Sequence, residues 1–505
     1  MAAEILFDYR PLAAVLVSLV AALLILLTSK RPNLREFWTF SAAFGKALIV
    51  FSMLPAVLAG QILEIAPFKI AQGVSLHLRA DPAAMVFAVL AAFLWIATSF
   101  YSVGYLRKLK EEHQTGYFAS FAVCLSATMG IAFAANLLTF FIFYEILTIA
   151  TYPLVAHHRD QEAIKAGRKY LVYTMLAGQV FLIGILWAYF LAGHGDFQPG
   201  GFLAGKTSSV NLQIIFWLMI LGTAVKAGVM PFHGWLPSAM VAPTPVSALL
   251  HAVAVVKAGV FGIVRIVGYV FGPLILSSLG AAQILTWLAA LTIIVSSLIA
   301  LAQDNLKRRL AFSTIGQLSY VVLGAAVLTP LGLLGGLYHI AAHAVMKITL
   351  FFCAGAIFAT TGLTNVSQLN GLGRAMPYTM GAFAIGSIGI TGMPFWVGFI
   401  SKWNLALGAL QQGQMLYVFV LLISGLLSTA YFLPIVYAAF FKKPTLEIAK
   451  QHRGEAEKMM LLPLLLTAVI SLVWGIFPNA GCGLYDLAVM SAQSIFAGQF
   501  LGGGW

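Results

Sequence analysis

Glu145 lies inside the apolar stretch NLLTFFIFYEILTIATYPL, and Lys226, Lys257, Lys347 and Lys402 lie inside four others. An ionisable side chain at the centre of a bilayer costs about 2.5–3.5 kcal/mol on insertion scales. Five in one chain are therefore expected to face a bundle interior and to mark a proton or ion path. Lysine suits a proton path. Burial and like-charged neighbours favour its neutral form, and a nearby carboxylate favours the charged form, so a carboxylate that moves acts as a switch. Arginine keeps its charge and does not serve this purpose.

The settings of these residues differ. Lys226 sits in TAVKAGVMPFHGWLP, five residues before Pro231, and Lys402 sits in TGMPFWVGFISKW, eight residues after Pro394. A proline removes a backbone donor and opens a helix, and broken helices in transporters expose backbone groups where sites form. Lys257 is near the middle of LLHAVAVVKAGVFGIVR. In GLYHIAAHAVMKITLFF, His339, His343 and Lys347 recur at i, i+4 and i+8 and so form one helical stripe. His251, six residues before Lys257, is a further relay candidate, with a core-packing histidine as the alternative. His233 follows Pro231 and lines the same break. Lys46 and Arg265 stand nearer the ends of their stretches and read as side chains that snorkel to the interface.

The elements that position these residues follow from composition. Of 505 residues, 61% are apolar and only 9% are charged, too few to cover a water-facing surface. A soluble enzyme, a disordered chain and a secreted disulfide scaffold are excluded. Apolar runs long enough to cross the hydrocarbon core fall at 11–28, 38–61, 82–106, 117–135, 136–156, 168–192, 211–230, 245–270, 279–303, 312–329, 331–359, 378–410 (interrupted), 414–440 and 458–478. The expected fold is an all-α polytopic membrane domain over 1–505, with about fourteen spans. These runs are too long, and lack the polar alternation, for strands. The stretch 479–505 reads as a tail or partial helix. Residues 1–10 carry Glu4 and Asp8 and no basic cluster, so the first run reads as a span and not as a cleaved signal.

The basic residues confirm the count. Nineteen of the 29 Lys and Arg fall on odd-numbered connections, and only Lys69, Arg79 and Lys206 fall on even-numbered ones. Positive loops stay cytoplasmic, which places both termini outside a plasma membrane of the bacterial inner type. The net charge of +13 is then a matter of topology and calls for no nucleic acid. Cys124, Cys353 and Cys482 are far apart and form no CxxC. With no nucleotide loop and no haem motif either, neither cofactor nor metal is expected in this chain.

GVMPFHGW (228–235) and TGMPFWVGF (391–399) resemble one another, each in a broken, lysine-bearing span. The two spans, 7 and 12, are five apart, and an odd offset reverses orientation. This is the pattern of two inverted five-helix repeats, spans 4–8 and 9–13, with chance similarity of short Pro/Gly motifs as the alternative.

The order of Glu145, KAGVMPFHGWLPSAMVAPTPVSALLHA, VKAG, the H-x-x-x-K helix and GFISKW resembles the antiporter-like proton-translocating subunits. These are the large membrane-arm subunits of respiratory complex I, their counterparts in membrane-bound hydrogenases, and the large subunits of Mrp-type cation/proton antiporters. The resemblance covers about 118–440, the expected translocation core. It implies a fourteen-helix fold with inverted repeats and a Glu145–Lys226 pair. It also implies Lys257 as the central relay lysine, a connection through His339, His343 and Lys347, and Lys402 as the terminal residue. GFISKWNLALGAL, and KMMLLPLLL after a basic loop, are most similar to the D-type Mrp subunits. An end near residue 505 without a long lateral helix argues against the longest complex I subunit and the A-type Mrp subunit. Two functions stay open. One is a proton relay coupled to sodium or another cation without redox chemistry. The other is a proton-pumping subunit of an NADH:quinone oxidoreductase or hydrogenase whose electron transfer lies elsewhere. An inert scaffold does not account for the embedded charges. Either function implies partners in the same complex, including homologous subunits, besides protons, sodium and the lipid bilayer.

Overall fold

The computed structural model of the chain describes residues 4–71, 74–444 and 454–497. Each of the fourteen apolar runs becomes one membrane element. In chain order these are α1 (Arg10–Leu27), α2 (Pro32–Leu58), α3 (Pro82–Leu109), α4 (Gln114–Phe133), α5 (Leu137–Val155), α6 (Gln161–Ala192) and the broken α7 (Ser209–Val241). They continue with α8 (Thr244–Phe271), α9 (Ala281–Ala302), α10 (Leu306–Ala326) and α11 (Pro330–Thr361). Then come α12, split into Pro377–Thr391 and Val397–Gln411, α13 (Met415–Phe441) and α14 (Lys458–Ile476). Twelve of these are long and apolar enough to span a membrane by length and composition. The other two are α10, which opens on Lys307, Arg308 and Arg309, and α12, whose halves have 15 residues each. A short helix α15 (Leu484–Ile495) follows where a tail or partial helix was expected.

The odd-numbered connections meet one another on one face. Asp304 accepts from the Ser367 N–H (3.0 Å) and hydroxyl (2.8 Å), and Glu455 accepts from Tyr378 N and the Thr379 hydroxyl, both at 2.6 Å. Lys307 donates to the Ala242 carbonyl at 2.6 Å. The even-numbered connections meet likewise: Arg79 donates to the Phe197 carbonyl, and Gln198 N–H to the Tyr269 carbonyl. The parity read from the basic residues is thus the parity of the fold. Lys450 and Arg453, counted among the odd-face basic residues, lie outside the described residues.

One element was not anticipated. Between α2 and α3 the chain forms β2 (Ile62–Ala71) antiparallel to β3 (Val74–Ala80), and β1 (Ile5–Phe7) adds parallel to β2. Leu63, Ile65, Leu78 and Ala80 alternate inward and are buried, as a half-buried sheet requires. Glu64 pairs with Arg79 at 3.0 Å across the ladder.

Lys46 and Arg265 do not snorkel. Lys46 is fully buried, donates to the Leu125 carbonyl of α4 at 2.9 Å and lies 4.7 Å from the Trp95 ring centroid. Arg265 is fixed by Asp81, with Nη1 at 2.7 Å from Oδ2 and Nη2 at 2.9 Å from Oδ1, and it stacks on Tyr269. Asp81 also accepts from Ala84 N at the start of α3. The reason is packing: α8 is enclosed on all sides by other helices, so Arg265 has no lipid-facing route to the interface and needs an internal counter-ion. Removing one partner of a buried ion pair costs about 3–5 kcal/mol. Arg265→Ala is therefore expected to lower the unfolding temperature of the detergent-solubilised protein markedly, whereas Arg31→Ala, at the exposed α1–α2 turn, leaves it unchanged.

Candidate functional site

The site forms where two helices fail. The first half of α7 ends at Ala227, capped by Gly228 in the left-handed region at φ +73°. The groups freed by the break find partners: Met230 N donates to the Thr292 hydroxyl of α9 (3.1 Å), and the Trp235 indole N–H donates to the Val225 carbonyl (2.7 Å). Such satisfaction is compulsory where water is scarce. Lys226 lies in the last turn before the break, fully buried, with Nζ 2.5 Å from the Tyr144 carbonyl of α5 and 3.3 Å from the Tyr144 ring centroid. In α12 the first half ends at Thr391, capped by Gly392 at φ +89°. There Lys402 itself takes the freed carbonyls, donating to Ile390 at 2.6 Å and Thr391 at 3.2 Å. Lys226 thus stands in the C-terminal turn of one half-helix, and the ammonium of Lys402 reaches the C-terminal end of another, where the backbone dipole favours a cation.

Glu145 is half-buried on α5, and its carboxylate faces Gly178 of α6. Neither of its oxygens has a hydrogen-bond partner. Its charge and that of Lys226 act on one another through space, yet no direct ion pair joins them among the described residues. The two were expected to be a pair; they are neighbours that do not touch.

The second group gathers around α11. Lys257 Nζ is 2.7 Å from His343 Nδ1, and His339 Nδ1 is 2.8 Å from the Ser401 hydroxyl of α12. The two imidazole centroids are 6.0 Å apart. Lys347, one turn further, donates to the Ser313 hydroxyl of α10 at 2.9 Å. Tyr320 links to the far end: its ring packs on His339, and Lys402 lies 5.1 Å from its centroid. The Nε2 atoms of His339 and His343 are buried without partners, and a buried polar atom of that kind calls for water or a moving proton donor. His251 is buried too, with both ring nitrogens unpartnered, and packs on Phe351. It stands in a π-helical turn, Leu249–Val253, which the sequence did not suggest; such turns recur at functional sites.

The structure therefore bonds Lys257 to His343 and His339 to Ser401, with the two imidazoles one turn apart and Lys402 beyond the Tyr320 ring, and it keeps Glu145 and Lys226 as neighbours without an ion pair among the described residues. The two groups are bridged by helix contact and not by a hydrogen bond. Gly259 of α8 packs directly on the backbone of Lys226 and Ala227, where any Cβ would collide. Ser313, Ser401 and Tyr320 were missed in the sequence, since hydroxyls within apolar runs are common and carry no positional signal. His233, beside Pro231, is half-buried and packs on Phe312. The expectation that it lines the break agrees with this placement.

The family described as "NADH:quinone oxidoreductase/Mrp antiporter, TM" matches residues 134–428. NADH-quinone oxidoreductase subunit N of Desulforudis audaxviator is 33% identical over 417 residues, covering 80% of this chain and 82% of that protein. A putative antiporter subunit of Staphylococcus aureus is 27% identical over 509 residues, covering 94% of this chain but 62% of that protein. The solved Mrp complex of a Dietzia species contains a chain that superposes with a TM-score of 0.86 at 21% identity, covering 97% of this chain and 98% of that one.

Overpacking a tight helix contact costs typically about 1–3 kcal/mol. Gly259→Ala is expected to lower thermal stability by that amount and to reduce proton flux by displacing Lys226. Unchanged flux in reconstituted vesicles would show that α7 and α8 need not touch here.

Proposed function

Because the chain belongs to the NADH:quinone oxidoreductase/Mrp antiporter membrane family, we propose that it is the proton-translocating membrane subunit of a multisubunit cation/proton antiporter. The relay consists of Glu145, Lys226, Lys257, His343, His339 and Lys402, with Lys347 and His251 beside it. One observation carries the reading. Four buried lysines, Lys226, Lys257, Lys347 and Lys402, are bonded to carbonyls, an imidazole and a hydroxyl, and none to a carboxylate among the described residues. A lysine locked to a carboxylate stays charged, whereas one held by neutral acceptors can give up its proton. Glu145, close to Lys226 and unbonded, is the movable charge that biases the first step.

The 33% likeness to an NADH-quinone oxidoreductase subunit supports a second reading, in which the same relay is driven by electron transfer in partner subunits. This chain's three cysteines are free, buried and separate, so they make no cluster ligand set. Membership of a multisubunit complex follows from the relatives. Homologous antiporter-like neighbours, a D-type role in an Mrp assembly, sodium as the counter-ion, a plasma membrane and outward termini are parts of the proposal. So is the core over 118–440 built from inverted repeats α4–α8 and α9–α13. Its support is the position of the breaks at Pro231 and Pro394 in elements five apart.

Glu145→Gln and Lys226→Ala are each expected to cut proton flux in the reconstituted complex by about 10²-fold, the scale of a lost acid–base group, with assembly intact. Normal flux in either would sink the relay. Iron–sulfur absorbance in the purified complex would select the redox reading. Cation-dependent proton flux without such absorbance would select the antiporter.

A further inference from the structure

Five odd-numbered connections converge on a cavity of about 250 Å³. Its lining includes Glu111 from the α3–α4 connection, His158 from α5–α6, Pro243 from α7–α8, Lys307 from the start of α10, and Thr364 from α11–α12. None of these residues belongs to the relay. At the mouth, Glu111 Oε2 lies 3.7 Å from His157 Nε2 and 3.5 Å from His158 Nδ1. The His157 imidazole, with His158 beside it, holds the Glu111 carboxyl below its ordinary range. Glu111 therefore stays ionised beside the two imidazoles.

At the floor of the cavity stands Thr244, the first residue of α8, whose hydroxyl meets the Tyr105 hydroxyl at 3.4 Å. Ser247 and His251 follow at i+3 and i+7, on the same helical face, so His251 lies about 10 Å along the axis from Thr244. All three are buried, and neither the Ser247 hydroxyl nor either His251 nitrogen has a partner. Lys307 donates to the Ala242 carbonyl on the cavity wall, and its charge acts on His251, as does that of Lys347 from the relay side.

We propose that this cavity is the proton-uptake mouth of the odd face, with Glu111, His157 and His158 as a proton-collecting cluster and Thr244, Ser247 and His251 as the conduit to the Lys347–Lys257 group. A proton taken from water or buffer onto His158 passes inward over the hydroxyls. Each hydroxyl accepts a proton on oxygen and releases its own, and a ring nitrogen of His251 receives the last. Lys307 is a positioning residue: its bond to the Ala242 carbonyl holds the start of α10 against the α7–α8 connection and so keeps the cavity wall in place.

The inference rests on the proposed function, and the test separates the two. In the intact complex reconstituted in vesicles, the double variant Glu111→Gln/His158→Gln is expected to slow proton flux several-fold in weakly buffered medium. Added imidazole, a mobile proton donor on that face, restores it. His251→Phe abolishes flux, and imidazole does not restore it. Ser247→Cys reacts with a small cationic methanethiosulfonate applied to the odd face and not to the even face. Wild-type flux in the double variant, a defect that imidazole leaves unchanged, normal flux in His251→Phe, or labelling from the even face or from neither would each overturn the conduit. If Lys226→Ala transports normally in the same vesicles, it is the relay that has failed.

Discussion

Everything in this protein depends on what a lysine ammonium finds when water is withdrawn. Lys46, Lys226, Lys257, Lys347 and Lys402 are all buried, and each is held by a neutral acceptor: three by backbone carbonyls, one by an imidazole, one by a hydroxyl. Arg265 is treated differently and receives a bidentate carboxylate. The contrast follows from the chemistry of the two groups. A guanidinium keeps its charge and needs a permanent counter-ion, whereas an ammonium among neutral acceptors has access to both protonation states.

The broken helices follow from the same constraint. A carbonyl inside an intact helix can still lend its second lone pair, as Leu125 of α4 does to Lys46 and Tyr144 of α5 to Lys226, whereas a break leaves carbonyls with no helical donor at all. In α12 the break hands two carbonyls to Lys402. In α7 the indole of Trp235 takes the carbonyl freed by the break, and Lys226 is left to reach across to α5. The two breaks therefore share a motif, G-M-P-F or its near copy, but use their lysines differently. Lys402 is bound to its own helix. Lys226 joins α7 to α5, within reach of the charge on Glu145.

Much of this was legible in the sequence because the bilayer makes charge rare. Glu145, the four relay lysines, the His339–His343–Lys347 stripe and the prolines at both breaks stood out against apolar runs. The apolar runs set the span count, and the parity of the basic residues supported it. The remainder was hidden for physical reasons. The hydroxyls of Ser313, Ser401 and Tyr320 matter only through the register of neighbouring helices. The inward turn of Lys46 depends on a carbonyl of α4 and the face of Trp95, neither of which a single-helix pattern reveals. The pairing of Arg265 with Asp81 joins residues 184 apart in sequence. The π-helical turns of α8, at Leu249–Val253 and Ile266–Phe271, lie in a fully enclosed helix and interrupt no apolar run. The sheet joins β2 and β3, in a connection too polar to register as a span, to β1 from ahead of α1, more than fifty residues away in sequence.

The succession Lys257–His343–His339–Ser401–Lys402 is the centre of the account, because it ties α8 to the break in α12 through side chains that can pass protons. Lys257 is its least replaceable member: of the four buried lysines Lys226, Lys257, Lys347 and Lys402 it is the one bonded, among the described residues, directly to another titratable side chain. The decisive measurement is proton flux in vesicles containing the assembled complex with Lys257→Met, which keeps the length of the side chain and removes the ammonium. The account predicts an assembled complex with proton movement lost. Flux equal to wild type would contradict it and leave the buried lysines with a structural role alone.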